Sequence, residues 1–71
     1  MKKPILLKLA KRVRAERKKL GFSQEAFAEK SGFHRTYIGM IERAEKNITL
    51  ANIQKLAKAF RLTISTLLKG L

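Results

Sequence analysis

The constraint that bears hardest on this chain is Gly32, set between two short amphipathic stretches. Ser23 is a good N-cap for a helix over about 24–30, with Phe27 and Ala28 facing inward. A second helix starts near His34 and runs to about Arg43, with Ile38 and Ile41 inward. The turn Ser31-Gly32-Phe33 between them needs a positive φ, which is unfavourable for residues other than glycine. Ala28 must be small where the second helix crosses it. Phe27, Phe33, Ile38 and Ile41 must be apolar to hold the pair on a core. Helix, tight turn and helix, meeting at a sharp angle over Gln24–Arg43, form the predicted centre of the fold.

Around that centre the remaining sequence also reads as helix. Pro4 suits a first helical position, where its missing N–H costs nothing. The helix it opens, about 5–20, carries Leu6, Leu9, Ala10, Val13 and Leu20 on one face. Lys8, Lys11, Arg12, Lys18 and Lys19 are expected mostly on the other, and Gly21 ends the helix. A polar loop, 44–48, leads to a helix over about 49–60, capped by Thr49 and bearing Leu50, Ile53, Leu56, Ala57 and Phe60. A short last helix, about 63–70, is capped by Thr63 and holds Ile64, Leu67 and Leu68. There is no hairpin signal and no internal repeat. The expectation is an all-α chain: one domain over 1–71, with five short helices around one core. At 71 residues without cysteine it has neither a disulfide nor a thiolate zinc site, so helix packing, dimerisation or both must stabilise it.

Composition narrows the functions. No stretch approaches the roughly 18 apolar residues of a transmembrane helix, and no membrane partner is expected. Lys8 and Lys11 break the apolar run Ile5-Leu6-Leu7 and no small-residue cleavage site follows, so this segment is read as mature sequence. One histidine, His34, and five scattered Glu, without a glycine-rich phosphate loop, assemble no catalytic centre. Neither an enzyme activity nor a cofactor or metal is expected. The missing cysteines fit a reducing cytoplasm. The charge balance favours a polyanionic partner: 17 Lys and Arg oppose 5 acids for a net +12. Residues 1–20 alone hold nine basic side chains against Glu16.

The second helix of the central pair fits a groove of double-stranded DNA. At about 100° per residue, Ile38 and Ile41 define its buried side, so Thr36, Gly39, Met40 and Arg43 point outward. Arg35 flanks them near the N-terminal end, which meets base edges in docked helices of this kind. Its guanidinium can bridge O6 and N7 of a guanine, or hold a phosphate. Thr36 can bond a base or pack on a thymine methyl, and Met40 can touch such methyls. Gly39 costs about 1 kcal/mol relative to Ala in mid-helix; it either lets the helix approach DNA closely or sits idle on an exposed face. Tyr37 lies between faces, available for packing or for a phosphate, and is counted with Arg35, Thr36, Gly39 and Met40 among the base-reading residues. Ser23 and Gln24 open the first helix of the pair, and His34 stands at the N-cap of the second; all three are expected at phosphates. One such helix reads too few base pairs to select a site. A homodimer reading half-sites about 34–36 Å apart is therefore expected, with Ile64, Leu68 and Leu71 at its interface.

Three strings, Leu20-Gly21-Phe22-Ser23-Gln24-Glu25, His34-Arg35-Thr36-Tyr37-Ile38 with Ile41-Glu42-Arg43, and Leu56-Ala57-Lys58-Ala59-Phe60, carry a family likeness. Over about residues 6–70 the chain resembles the lambda-repressor/Cro-type helix-turn-helix family of bacterial and phage regulators. Its His34–Ile38 string and Asn47-Ile48-Thr49-Leu50 are most similar to controller proteins of restriction–modification systems. The resemblance implies a lambda-repressor-like domain acting as a sequence-specific transcriptional regulator at its own promoter, cytoplasmic and nucleoid-associated. A phage-type repressor and an antitoxin that also binds a protein partner are the alternatives. It further implies phosphate contacts from Arg43, Lys46 and Asn47, and a partly buried ion pair between Arg17 and Glu42. Glu25 and Glu29 match a surface that contacts RNA polymerase, or else simply favour the positive end of their helix. Ala44 departs from the family, standing where Gly is usual. Ile48 replaces the usual Pro, as in controllers.

Overall fold

The structure, a computed structural model, describes residues 2–71. Among these residues it contains five helices and no strand: α1 Pro4–Lys19, α2 Gln24–Ser31, α3 Arg35–Glu42, α4 Leu50–Ala59 and α5 Ile64–Leu67. The all-α expectation is met. Three helices, α3, α4 and α5, start a residue inside the expected bounds because their capping residues keep extended backbones. His34, Thr49 and Thr63 each stand outside their helix, as Ser23 does before α2. Their side chains accept the first free N–H groups: Ser23 Oγ from Ala26 at 3.0 Å, Thr49 Oγ1 from Asn52 at 3.1 Å, and Thr63 Oγ1 from Thr66 at 3.1 Å.

Val13, Phe27, Ile38, Leu56 and Leu67 are sealed from solvent, so all five helices contribute to one core. Each such side chain contributes about 1.5–3 kcal/mol by leaving water. Phe27 and Phe60 stack at 4.5 Å between ring centroids, tying α2 to the end of α4. α3 is held between α1 and α2, and α4 packs on α2 and α5. The pair α2–α3 is thereby held against the one core.

Three helices end with one shared pattern. After α1, Gly21 (φ 78°) donates to the Lys18 carbonyl and Phe22 to that of Arg17. After α3, Ala44 (φ 59°) donates to Ile41 and Glu45 to Met40. After α4, Arg61 (φ 59°) donates to Lys58 and Leu62 to Ala57. These crossed bonds satisfy the last carbonyls and require a left-handed residue after the cap. Glycine supplies it once; alanine and arginine are forced into it twice. Ala44 thus takes the conformation of the glycine it replaces.

Two expectations for α1 need correction. Leu20 does not belong to the inner face: it is 48% exposed. The buried positions run Leu9, Val13, Arg17 at intervals of four, and the helix ends at Lys19 before a further turn can bring Leu20 inward. Arg12 is not a solvent-face cation. Its guanidinium reaches the carbonyls of Thr66, Leu67 and Lys69 at 3.3, 2.7 and 2.6 Å. These bonds satisfy carbonyls at the end of α5, and that helix stops at Leu67 rather than near residue 70.

Candidate nucleic-acid interface

Gly32 is the left-handed cap of α2 (φ 79°), and its N–H bonds the Ala28 carbonyl at 2.9 Å. The chain thus leaves α2 and enters α3 within three residues. Ile38 and Ile41 anchor α3 in the core, which turns Arg35, Thr36 and Arg43 to solvent. His34 Nδ1 accepts the Thr36 N–H at 3.2 Å, so its imidazole is engaged as the cap of α3. Arg35 is exposed and lies 3.9 Å from Glu25, itself exposed, across the α2–α3 angle. Met40 is half-buried.

Gly39 differs from expectation. It is buried, because the Arg43 guanidinium one turn on lies over it; an added Cβ would stand 2.9 Å from Arg43 Nη1. In the free protein this glycine gives room to an arginine and is not a bare strip of backbone. Tyr37 is a packed residue with a fixed hydroxyl. Its ring stacks on Phe33 at 5.1 Å, its hydroxyl accepts from Asn52 Nδ2 at 3.0 Å, and the Lys46 ammonium sits 5.8 Å from the ring centroid.

Glu42, at the far end of α3, is the electrostatic centre. Arg17 Nε and Nη2 donate to its two carboxylate oxygens at 2.7 and 2.9 Å, and the pair is buried. Gln24 Nε2 adds a bond at 3.1 Å, and Arg14 stands 3.6 Å away. Burial alone would push the Glu42 carboxyl up; the bonds from Arg17 and Gln24, with the charges of Arg17 and Arg14, outweigh it and hold the carboxyl low. The Arg17 guanidinium is held above its usual range by the hydrogen bonds it donates to Glu42 and by that carboxylate's charge, against the opposing effect of burial. Gln24 accordingly gives one amide N–H to this network, while its backbone N–H at the open end of α2 remains to meet a phosphate. Ser23 Oγ accepts the Ala26 N–H, which leaves its hydroxyl proton free to donate.

The loop after α3 gathers cations from distant sequence. Arg43 Nε bonds Glu45 at 3.1 Å, and both side chains remain exposed. Arg14 Nη2 bonds the Glu42 carbonyl at 2.6 Å, Lys2 Nζ bonds the Arg43 carbonyl, and Lys3 Nζ bonds Asn47 Oδ1 at 3.4 Å. From sequence, Lys2, Lys3 and Arg14 stand out only as part of the basic stretch 1–20. No local signal could have found them, since Lys2 and Lys3 lie 41 and 44 positions from their partners. At the other end, Ile64, Leu68 and Leu71 are half-buried against the core. Leu68 and Leu71 line an apolar groove of about 410 Å³ with Leu6, Leu9, Ile48 and Ile53.

A helix-turn-helix family model matches residues 13–67, and the chain belongs to that family. Its likeness within the family is to restriction–modification control proteins. The control protein C.SmaI of Serratia marcescens is 50% identical over 60 residues, which are 84% of this chain and 71% of that protein. The crystal structure of the restriction–modification controller protein C.AhdI from Aeromonas hydrophila superposes with a TM-score of 0.82 at 42% identity, covering 87% of this chain and 90% of that one. A hypothetical transcription factor from Neisseria, NHTF, gives a TM-score of 0.85 at 39% identity, over 90% and 74% of the two chains.

Proposed function

We propose that this helix-turn-helix transcriptional regulator, of the restriction–modification controller type, binds double-stranded DNA as a homodimer and reads a pseudo-palindromic operator at its own promoter. One observation carries the reading: α3 exposes Arg35 and Thr36 at its N-terminal end while Ile38 and Ile41 fix the helix in the core. A helix so held enters the major groove as a rigid probe. Arg35 takes the O6 and N7 of a guanine; Thr36 and Met40 meet neighbouring base edges or methyls. Tyr37 supports the probe through Phe33 and Asn52 and presents its hydroxyl at the rim. The backbone N–H groups at Ser23 and Gln24, together with His34, Arg43, Lys46 and Asn47, take phosphates and set the register. Ile64, Leu68 and Leu71 pair two copies about a two-fold axis. Glu25 and Glu29, exposed on α2, are assigned to RNA polymerase contact. No helix among the described residues is long and apolar enough to cross a membrane, and the reading places the protein in the cytoplasm with the nucleoid.

Selection of bound duplexes from a random pool tests this reading. The expected product is a two-fold symmetric site whose half-site centres lie about 34–36 Å apart, occupied by a dimer. Enrichment of a lone half-site, or of nothing, would contradict it.

A further inference from the structure

The negative pole of a helix points the wrong way for a polyanion. In the proposed complex the loop after α3, with Arg43, Lys46 and Asn47, lies on the phosphate backbone, and the carbonyls that end α3 carry the negative end of its dipole. Two of those carbonyls are covered by cations from elsewhere in the chain: that of Glu42 by Arg14, at 2.6 Å, and that of Arg43 by Lys2. Lys3 reaches the same loop at Asn47. Both lysines are exposed, and among the described residues neither has a carboxylate within ion-pair distance. Each ammonium carries three donors and makes one bond to the loop, so charge and donors remain to be satisfied. Lys2, Lys11, Arg14 and Arg43 together line a groove of about 540 Å³ between α1 and the end of α3. The one acid in it, Glu42, is already neutralised by Arg17.

We infer that Lys2 and Lys3 form a basic strap which carries the phosphate contact of the 43–47 loop along the DNA backbone beside each half-site. The inference rests on the DNA-binding reading above and extends it to residues outside the 13–67 family match. The strap screens the carbonyl end of α3 and supplies ammonium groups to the phosphates that approach it. It adds affinity without choosing sequence, because it touches no base edge.

The test is the salt dependence of binding by the full chain, with a duplex selected from a random pool and a duplex of unrelated sequence as probes. The double variant Lys2→Gln/Lys3→Gln should bind both duplexes more weakly. Its plot of log affinity against log salt should be shallower by about 0.9 per lost phosphate contact, roughly 2–4 for a dimer. The variant Lys30→Gln/Lys58→Gln removes the same charge from the α2–α4 groove and should keep the parent slope. Both lysines of the strap precede α1, so an unchanged melting curve is expected and is checked alongside. A parent slope in the strap variant, with binding intact, overturns the strap alone. Equal slope losses in both double variants overturn it in favour of net charge. An unchanged protein that binds neither duplex overturns the DNA-binding reading and the strap with it.

Discussion

At the scale of single residues, Glu42 joins the fold to the site. It closes α3, is tied to α1 through Arg17, and receives the Gln24 amide from the first turn of α2. Glu42→Ala would strand the buried Arg17 guanidinium, at a cost of about 3–5 kcal/mol. A large fall in melting temperature, preceding any effect on DNA binding, is the expected outcome; an unchanged melting temperature would contradict it. The same carboxyl sets an acid limit. Its folded-state pKa lies below the unfolded value, so the pair's stabilisation is fully present above the ordinary carboxylate range. It is lost as pH falls through Glu42's depressed value, and melting temperature should hold from neutrality to about pH 5, then decline below about pH 4. Arg61 offers the opposite change. It is exposed and left-handed after α4, so Arg61→Gly should stabilise by about 1 kcal/mol in denaturant unfolding. Ala44→Gly should gain less, because it gives up a buried methyl.

At the scale of elements, what was legible in the sequence is what short-range chemistry decides. Ser23, Thr49 and Thr63 announce helix starts because a cap bonds an N–H three residues on, and Gly32 announces its turn because only φ limits it. Leu20 misled because a periodic pattern carries no information on where packing against α3 ends. Arg12 misled because its partners lie 54 to 57 residues away. The functional face of α3 divides the same way: the outward register of Arg35 and Thr36 follows from Ile38 and Ile41, whereas the cover over Gly39 depends on the conformation of the Arg43 side chain. Gly39→Ala separates two roles. Helix propensity favours alanine by about 1 kcal/mol, and the only obstacle is the mobile tip of Arg43. The variant should therefore melt higher while binding DNA more weakly, as Arg43 is displaced; tighter or unchanged binding would show that Arg43 needs no bed on Gly39.

At the scale of the whole molecule, charge and two-fold symmetry set affinity in the proposed complex. All of the +12 lies outside α2 and α3, where Lys30 and Arg35 are outnumbered by Glu25, Glu29 and Glu42; in the proposed dimer, neutralising about 6–10 phosphates, it should make affinity fall some 10³–10⁵-fold between 50 and 200 mM salt. The proposed two-fold pairing rests on the apolar end of the chain. Ile64→Glu should yield a monomer by sedimentation that retains helical circular dichroism; a dimer of parent affinity would reject Ile64 from the interface. The central claim, that α3 reads sequence through Arg35, is tested most directly by measuring Arg35→Ala against the selected duplex and its single-base variants. A loss of about 1–3 kcal/mol, with discrimination erased at one guanine of each half-site and kept elsewhere, is the predicted result. An equal loss on every duplex, with all base preferences intact, would reduce Arg35 to a phosphate contact and contradict the account.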